Sequence, residues 1–484
     1  MSNTMRSYDR MPPSIMSPRK KKLPTSDDVH WLVPLSPDGG PRYVQIVNQL
    51  AQAISNETLR PGDRLPPQRQ LAEALGVDLT TVTRAYDEGR KRHLLEAHGQ
   101  RGTYVRGPES ELTQWVDLSL NVPPVPSQVD FSSLLHQGLS LVTTRHDVNL
   151  LITYYLGGGS HADRQAAARW LAPMFGAVDP ARIVVCSGAQ AALAAIILSL
   201  TEPGDAVLTE PLVYPGLRAA VHQLGRRVVS VTTDDSGMRP DALEEACRKH
   251  NARLVYLNPT LQNPAARTMP AERRQEIAAV VTRAGAKIIE DDPYWLFAHS
   301  APAPISAIAP DQVYYVSTLS KCLSPGLRTA FVVLPEPSLE TRFLSAMRTF
   351  ALMPMPLATA LVTQWIQDGS AQTLLAAVQA EARARQQLAA QIFSHTGQPA
   401  AAEGIHLWRR LPEYWGAREL AQAAREESLA ITPSDAFYVG TGEPPRAIRI
   451  SLGGGRDRLQ LSTALRNLSA LLASPPAERT EVFI

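Results

Sequence analysis

KIIEDDPYWLFAHSAPAPISAIAPDQVYYVSTLSK, residues 287–321, holds two short apolar runs, Lys287–Glu290 and Val313–Val316, and each stops abruptly in polar side chains. The first closes in Asp291-Asp292-Pro293-Tyr294, the second in Ser317-Thr318-Leu319-Ser320-Lys321. Runs this short cannot make a stable helix, and read as buried strands that deliver polar groups at their carboxyl ends. The same unit recurs on either side. Ile183–Cys186 leads into Ser187-Gly188-Ala189-Gln190 and an Ala/Leu-rich helix, and Ala206–Leu208 leads into Glu210-Pro211-Leu212-Val213-Tyr214. Val228–Val231 follows; Leu254–Leu257 leads into Asn258-Pro259-Thr260-Leu261-Gln262-Asn263-Pro264, and Ala330–Leu334 closes the series. Amphipathic helices, Asp241–His250 and Ala271–Ala284 among them, lie between the runs. Strand and helix in alternation predict an α/β fold, a mostly parallel sheet covered on both faces. Beyond Pro354 comes one helical stretch to Ser394. A smaller α+β unit follows, with strands near Ile405–Trp408 and Ala447–Ile450 and a closing helix from Arg456.

In such a sheet, ligands sit beyond the carboxyl ends of the strands. The chain contains only seven lysines, and its other cations are arginines, which cannot form a Schiff base. Lys249 falls at a polar helix end and Lys287 at a strand start, so Lys321 is the candidate amine. A lysine, a carboxylate, a ring-stacking aromatic, amide and phenol donors, and small residues opening a helix are what pyridoxal phosphate requires. The lysine takes its aldehyde, the carboxylate keeps its pyridine nitrogen protonated, and free helix-start N–H groups hold its phosphate. Gly157–Gly159 has no P-loop spacing and reads as a flexible loop.

The first 106 residues carry sixteen basic and eleven acidic side chains, against 32 and 35 in the remainder. A basic module on a mildly acidic body points to nucleic acid. Residues 1–40, with Arg19-Lys20-Lys21-Lys22, read as a disordered tail. From Pro41 an apolar stripe, Val44, Ile46, Val47, Leu50 and Ile54, marks a helix. Short helices Gln68–Leu75 and Leu79–Lys91 follow, and His98–Arg106 reads as a hairpin. Helix, helix, tight turn, helix, hairpin is the order of a winged helix-turn-helix, whose second turn helix enters the major groove.

The pieces LRPGDRLPPQRQLAEALGV, TTVTRAY and RGTYV resemble the GntR family of bacterial regulators. The strand-end motifs of the body resemble fold-type I, class I/II aminotransferases, and the two-domain order resembles the MocR group of GntR regulators. This resemblance implies residue roles. Lys321 forms the internal aldimine, Asp291 pairs with the pyridine nitrogen, and Asn263 and Tyr294 bond the phenolic oxygen. Gly188, Ala189, Gln190, Thr318, Ser320 and Arg328 hold the phosphate, Tyr214 stacks on the ring, and Arg449 grips the carboxylate of an amino-acid-like ligand. Arg69, Thr80, Thr81, Arg84, Arg101 and Gly102 touch double-stranded DNA. The sequence departs from the family at Ala265-Ala266, where Thr-Gly usually follows the Asn-Pro turn.

The expected organisation is a tail (1–40), a winged helix-turn-helix (41–106), a linker (107–116) and a pyridoxal-phosphate-binding domain (117–475). The last divides into a large part at about 150–350 and a small subdomain at about 370–475. Three scattered cysteines without a CxxC pair argue against a disulfide framework or a metal site. No signal peptide and no membrane span are evident, and a cytoplasmic location is expected. The expected function is a homodimeric, DNA-binding transcription regulator that senses an amine or amino-acid-like effector by exchange at Lys321. An aminotransferase carrying a DNA-binding domain is the alternative.

Overall fold

The computed structural model describes residues 31–36, 39–56, 58–60, 62–92, 94–97, 102–105, 115–394, 398 and 403–476. The tail through residue 30, the wing tip with Arg101 and the linker to residue 114 lie outside these. The chain divides between residues 114 and 115 into two compact units.

In the first unit, helices Arg42–Ser55, Gln68–Leu75 and Leu79–Lys91 surround a core of Ile46, Val47, Leu50, Leu71, Val82 and Ala85. The strands Leu95–Ala97 and Thr103–Val105 pair antiparallel and form the wing. Two polar contacts fix the turn pair. The Thr83 hydroxyl donates to Gln68 Oε1 at 2.9 Å, and the buried Tyr86 hydroxyl donates to the Pro66 carbonyl at 2.7 Å. One sequence expectation is corrected here. Trp31 is buried, and Leu32 and Leu35 pack beside it, so residues 31–36 belong to the folded unit and not to a tail. A large aromatic next to an incomplete three-helix core gains more from burial than it loses in chain entropy.

The second unit is built on a seven-stranded sheet. Across it run Ile183–Cys186, Ala330–Val333, Val313–Thr318, Lys287–Asp291, Leu254–Leu257, Ala206–Thr209 and Arg227–Ser230. Of the seven, only Ala330–Val333 runs against the rest. Successive side chains go to opposite faces. Val184 and Cys186 pack with the helix Ala189–Leu200, while Ile183 and Val185 pack with the helices His161–Phe175 and Pro356–Asp368. Both faces need apolar residues, which is why the strands read as unbroken apolar runs. The Gly157–Gly159 stretch is not a free loop: the Gly158 carbonyl accepts the Val185 N–H at 2.8 Å, and a Cβ on Gly158 would lie 2.9 Å from Val184 Cγ1.

The helical stretch after Pro354 consists of two helices, Pro356–Asp368 and Ser370–Ile392, separated at Gly369. The smaller subdomain has a three-stranded antiparallel sheet in the order His406–Arg410, Ala447–Ser451, Thr432–Pro433, backed by helices Ala417–Glu426 and Arg458–Ala473. It also captures the start of the unit. Val116–Asp117 pairs in parallel with Leu429–Ala430, and the Leu118 carbonyl accepts the Ser451 N–H at 2.8 Å. Gly453 and Gly454 make this possible, since a Cβ on Gly454 would fall 1.7 Å from the Asp117 carbonyl oxygen.

Candidate functional site

A cavity of about 580 Å³ opens at the carboxyl ends of the parallel strands, between the large sheet and the smaller subdomain of the same unit. Of the cofactor and ligand residues expected from the sequence, all but Gly188 line it. Chain segments far apart in sequence converge there; those of the large sheet do so because parallel strands place all their carboxyl ends on one side.

Asp291 ends its strand at the floor. Its Oδ2 accepts the Tyr256 hydroxyl at 2.8 Å, while its buried Oδ1 has no partner among the described residues. Burial pushes the carboxyl up to about 6, against the pull of Tyr256 and Lys321. An unsatisfied buried carboxylate oxygen is costly, and a protonated pyridine nitrogen fits it. Asn258 locks the floor to its neighbour: its Nδ2 donates to the Asp291 carbonyl at 2.8 Å, and its Oδ1 accepts the Asn263 N–H at 2.7 Å.

Lys321 follows the strand Val313–Thr318, and its Nζ donates to the Asn121 carbonyl. Burial first, then the nearby Arg449, lowers its ammonium to about 8. A buried amine of this kind loses its proton easily enough to act as a nucleophile.

Gly188 lies just under the cavity at φ +90, and a Cβ there would sit 2.8 Å from Arg328 Nη2. Only glycine lets the turn and the guanidinium approach this closely. The helix Ala189–Leu200 begins at this point without a side-chain cap, so its first N–H groups stay free for an anion. Thr318 and Ser320 hydroxyls, 3.1 Å apart, face the same place. The Gln190 side chain donates to the Gly216 carbonyl at 2.8 Å, so its contribution to the cradle is chiefly its main-chain N–H.

Arg449 is the cavity's unusual cation. It is 6% exposed, and burial lowers its pKa. Nη1 donates to Asn263 Oδ1 at 2.8 Å, Nη2 to the Ser119 carbonyl, and the guanidinium lies 4.9 Å from the Phe437 ring. Its Nε has no partner, and no carboxylate forms an ion pair with it among the described residues. A buried cation without a counter-charge costs several kcal/mol, and a ligand carboxylate would relieve that cost. With Oδ1 taken by Arg449, Asn263 keeps its Nδ2 donors for the cavity.

Tyr214 lines the opposite wall at the start of the helix Pro215–Gln223. Asn121, His406, Tyr256 and Asn258 also build the site, although the sequence reading assigned them no role. Asn258 was visible as a polar residue at a strand end. Asn121 and His406 carry no such signal, because the contact between them spans 285 residues.

In the first unit, Arg69, Thr80 and Arg84 are exposed and Thr81 is half-buried. Thr80, Thr81 and Arg84 share the opening turns of the helix Leu79–Lys91, where the Arg84 guanidinium rests 5.1 Å from the Tyr43 ring. Gly102 is at φ +113 beside Arg64, a further exposed cation that the sequence reading missed. No helix among the described residues is long and apolar enough to cross a membrane.

An α/β sheet with a lysine, a paired aspartate and a helix-start cradle at its carboxyl edge defines a pyridoxal-phosphate-dependent domain of aminotransferase type, here joined to a DNA-binding winged helix-turn-helix. Comparison with known proteins agrees. The chain belongs to the aminotransferase class I and II family, whose model matches residues 113–468, and residues 42–105 match the bacterial regulatory proteins of the gntR family. It is 28% identical over 441 residues to the HTH-type transcriptional regulator YdeF of Bacillus subtilis, covering 89% of this chain and 94% of that one. It is 27% identical to the HTH-type transcriptional regulator TauR of Rhodobacter capsulatus, covering 84% and 91%. Among solved structures, LysN, an α-aminoadipate aminotransferase of Thermus thermophilus, superposes with a TM-score of 0.67 at 24% identity, covering 75% of this chain and 93% of that one. That likeness concerns the fold.

Proposed function

We propose that this protein is a transcription regulator that senses an amine or amino-acid-like effector at the pyridoxal phosphate cavity. The observation that carries the reading is Arg449, a buried cation that no carboxylate contacts among the described residues, in the same cavity as Lys321 and Asp291. Pyridoxal phosphate supplies an aldehyde that one amine at a time can occupy and a ring that withdraws electrons. Around it, Lys321 would hold the aldehyde and give way to a ligand amine, and Asp291 would keep the ring nitrogen protonated. Asn263 and Tyr294 serve the phenolic oxygen, and Gly188, Ala189, Gln190, Thr318, Ser320 and Arg328 the phosphate. Tyr214 stacks on the ring and Arg449 takes the ligand carboxylate. The freed Lys321 amine has a receiver in the Asn121 carbonyl.

Arg69, Thr80, Thr81, Arg84, Arg101 and Gly102 are the residues we assign to DNA. We also propose a cytoplasmic homodimer. Its support is an exposed apolar surface in which Leu150, Ile152 and Tyr154 are 66%, 77% and 73% exposed. The segment Phe350–Met355 lies beside it, joined through Tyr155 N–H to Met353 Sδ at 3.2 Å. Exposed apolar patches of this kind mark protein interfaces.

The test is titration of the protein with DNA from upstream of its own gene, with and without pyridoxal phosphate and amines, beside Lys321→Ala. Specific binding that responds to amines only when Lys321 is present supports the reading. A second reading, aminotransferase turnover, is favoured by the lowered Lys321 amine, which suits proton transfer as well as exchange. Steady conversion of amino donor and keto acceptor at about 1 per second or faster would establish it.

A further inference from the structure

We propose that Asn121 sets the direction in which the Tyr294 hydroxyl donates its proton, and is thereby a positioning residue for the phenolic oxygen of the cofactor. This rests on the reading above, in which pyridoxal phosphate occupies the cavity with Tyr294 beside that oxygen.

His406 is buried, with its ring centroid 5.4 Å from that of Tyr294. Burial, reinforced by Arg449, lowers its imidazole to about 3, so the ring is neutral and carries one N–H. Nε2 lies 3.4 Å from the Gln262 carbonyl oxygen, which can only accept. The hydrogen is therefore on Nε2, and Nδ1 is a bare acceptor. Asn121 reaches Nδ1 at 3.2 Å, and it must do so with its NH2 end. The opposite orientation would set Oδ1 against Nδ1, two acceptors face to face. The other hydrogen of the same Nδ2 goes to the Tyr294 hydroxyl oxygen at 2.8 Å.

A phenol has a single proton. With Asn121 donating into one lone pair, that proton cannot return to Asn121. Among the described residues Tyr294 donates to no protein acceptor, and it lines the cavity. Its proton is accordingly directed at the cavity, where the phenolic oxygen belongs. The charged and titratable groups that face Tyr294 are Arg449, Asp291, Tyr214, Tyr256 and His406, and Lys321 and Arg449 face His406. Asn121 itself cannot drift. The Asp117–Val122 segment is pinned by the Val116–Asp117 pairing with Leu429–Ala430, by the Leu118 N–H to the Ala430 carbonyl at 2.8 Å, and by the close approach of Gly453 and Gly454.

A donor aimed at the phenolic oxygen favours its deprotonated form, and so lowers the pH at which the lysine-bound cofactor loses its proton. The experiment is a pH titration of the visible absorption band of the full chain loaded with pyridoxal phosphate. The variants are Asn121→Leu, which keeps the branched shape but has no donor, Asn121→Ala as a second form should Leu not fold, Tyr294→Phe, and the double variant. We expect the midpoint to rise by about one pH unit in the Asn121 variants, a tenfold weaker acid. It rises at least as far in Tyr294→Phe and no further in the double variant, since the effect passes through Tyr294. An unmoved midpoint in the Asn121 variants, or in Tyr294→Phe alone, overturns the inference. So does an Asn121 shift that persists at full size in the Phe background, which would mark a packing role. A native protein with no visible band fails the proposed function and this inference together; a normal band with an unmoved midpoint fails only the inference.

Discussion

Arg449→Met separates ligand recognition from folding. Methionine keeps the length of the side chain and removes its charge. In the native protein the guanidinium is held by Asn263 Oδ1 at 2.8 Å, by the Ser119 carbonyl, and more loosely by Thr432 Oγ1 at 3.4 Å. None of these is an anion. A ligand carboxylate placed against it gains two charge-assisted hydrogen bonds, each about 1.5–3 kcal/mol. Part of that sum is offset by desolvating the carboxylate, leaving about 2–4 kcal/mol, or a roughly 30- to 1000-fold loss of affinity in the variant. The stability of the ligand-free protein is expected to change little, within about 1 kcal/mol. Removing an uncompensated buried cation is favourable, while leaving Asn263 Oδ1 unpaired is not. The assay is calorimetric titration of the pyridoxal-phosphate-loaded proteins with amino acids and with the corresponding decarboxylated amines. The amines have no carboxylate to lose, so their affinities should agree between native and variant within about threefold. An equal loss for both ligand classes, or a loss below about fivefold for the amino acids, would refute the assignment.

Other perturbations follow from the same geometry. Because only the neutral Lys321 amine attacks an aldehyde, the rate of pyridoxal phosphate capture by cofactor-free protein should rise with pH and level off above about 8, as read by stopped-flow absorption. Asp291 is raised to about 6 in the folded state, so its contribution is present below about pH 4 and is lost as pH rises through 6. Its share of the stability lost by cofactor-free protein over that window is up to about 3 kcal/mol, seen in denaturant melts; Asp291→Asn should remove that share and leave the part that comes from the buried Glu210, Glu290 and Asp292, which are also raised. Gly454→Ala, which would drive a Cβ to 1.7 Å from the Asp117 carbonyl oxygen, should cost about 2 kcal/mol or more and free the Val116–Asp117 strand, visible as faster amide exchange there. Arg84→Ala should weaken DNA binding and reduce the salt slope of log K by about 1, measured by fluorescence anisotropy across a salt series.

Much of the site is local in sequence, and that is why it could be read. A short apolar run ending in Asp291 or in Ser320-Lys321 announces both a strand and what its end presents, since backbone pairing and side-chain alternation are set over four or five residues. The small residues that open a helix at Ser187-Gly188-Ala189-Gln190 were legible for the same reason. Arg449 was expected from the family resemblance, which does not show that no carboxylate contacts its guanidinium among the described residues. Trp31 was misread as part of a tail because a lone aromatic among prolines and serines gives no periodicity; its burial depends on packing with the core of the first unit.

The sequence alone determined the order of elements, the parallel sheet with groups at its carboxyl edge, the lysine that could hold the cofactor, and a basic helix-turn-helix module ahead of it. These depend on hydrophobic periodicity, turn chemistry and residue type, all of which act over short stretches. Only the tertiary structure decided that Val116–Asp117 completes the smaller subdomain, and that Asn121 reaches both Tyr294 and His406. It also decided that, among the described residues, Asp291 Oδ1 and Arg449 Nε are left without partners in the same cavity. Those facts depend on which buried polar atoms end up within 3 Å of one another once the chain has closed loops of a hundred residues and more. Local pattern carries no record of such pairings, because they are fixed by packing.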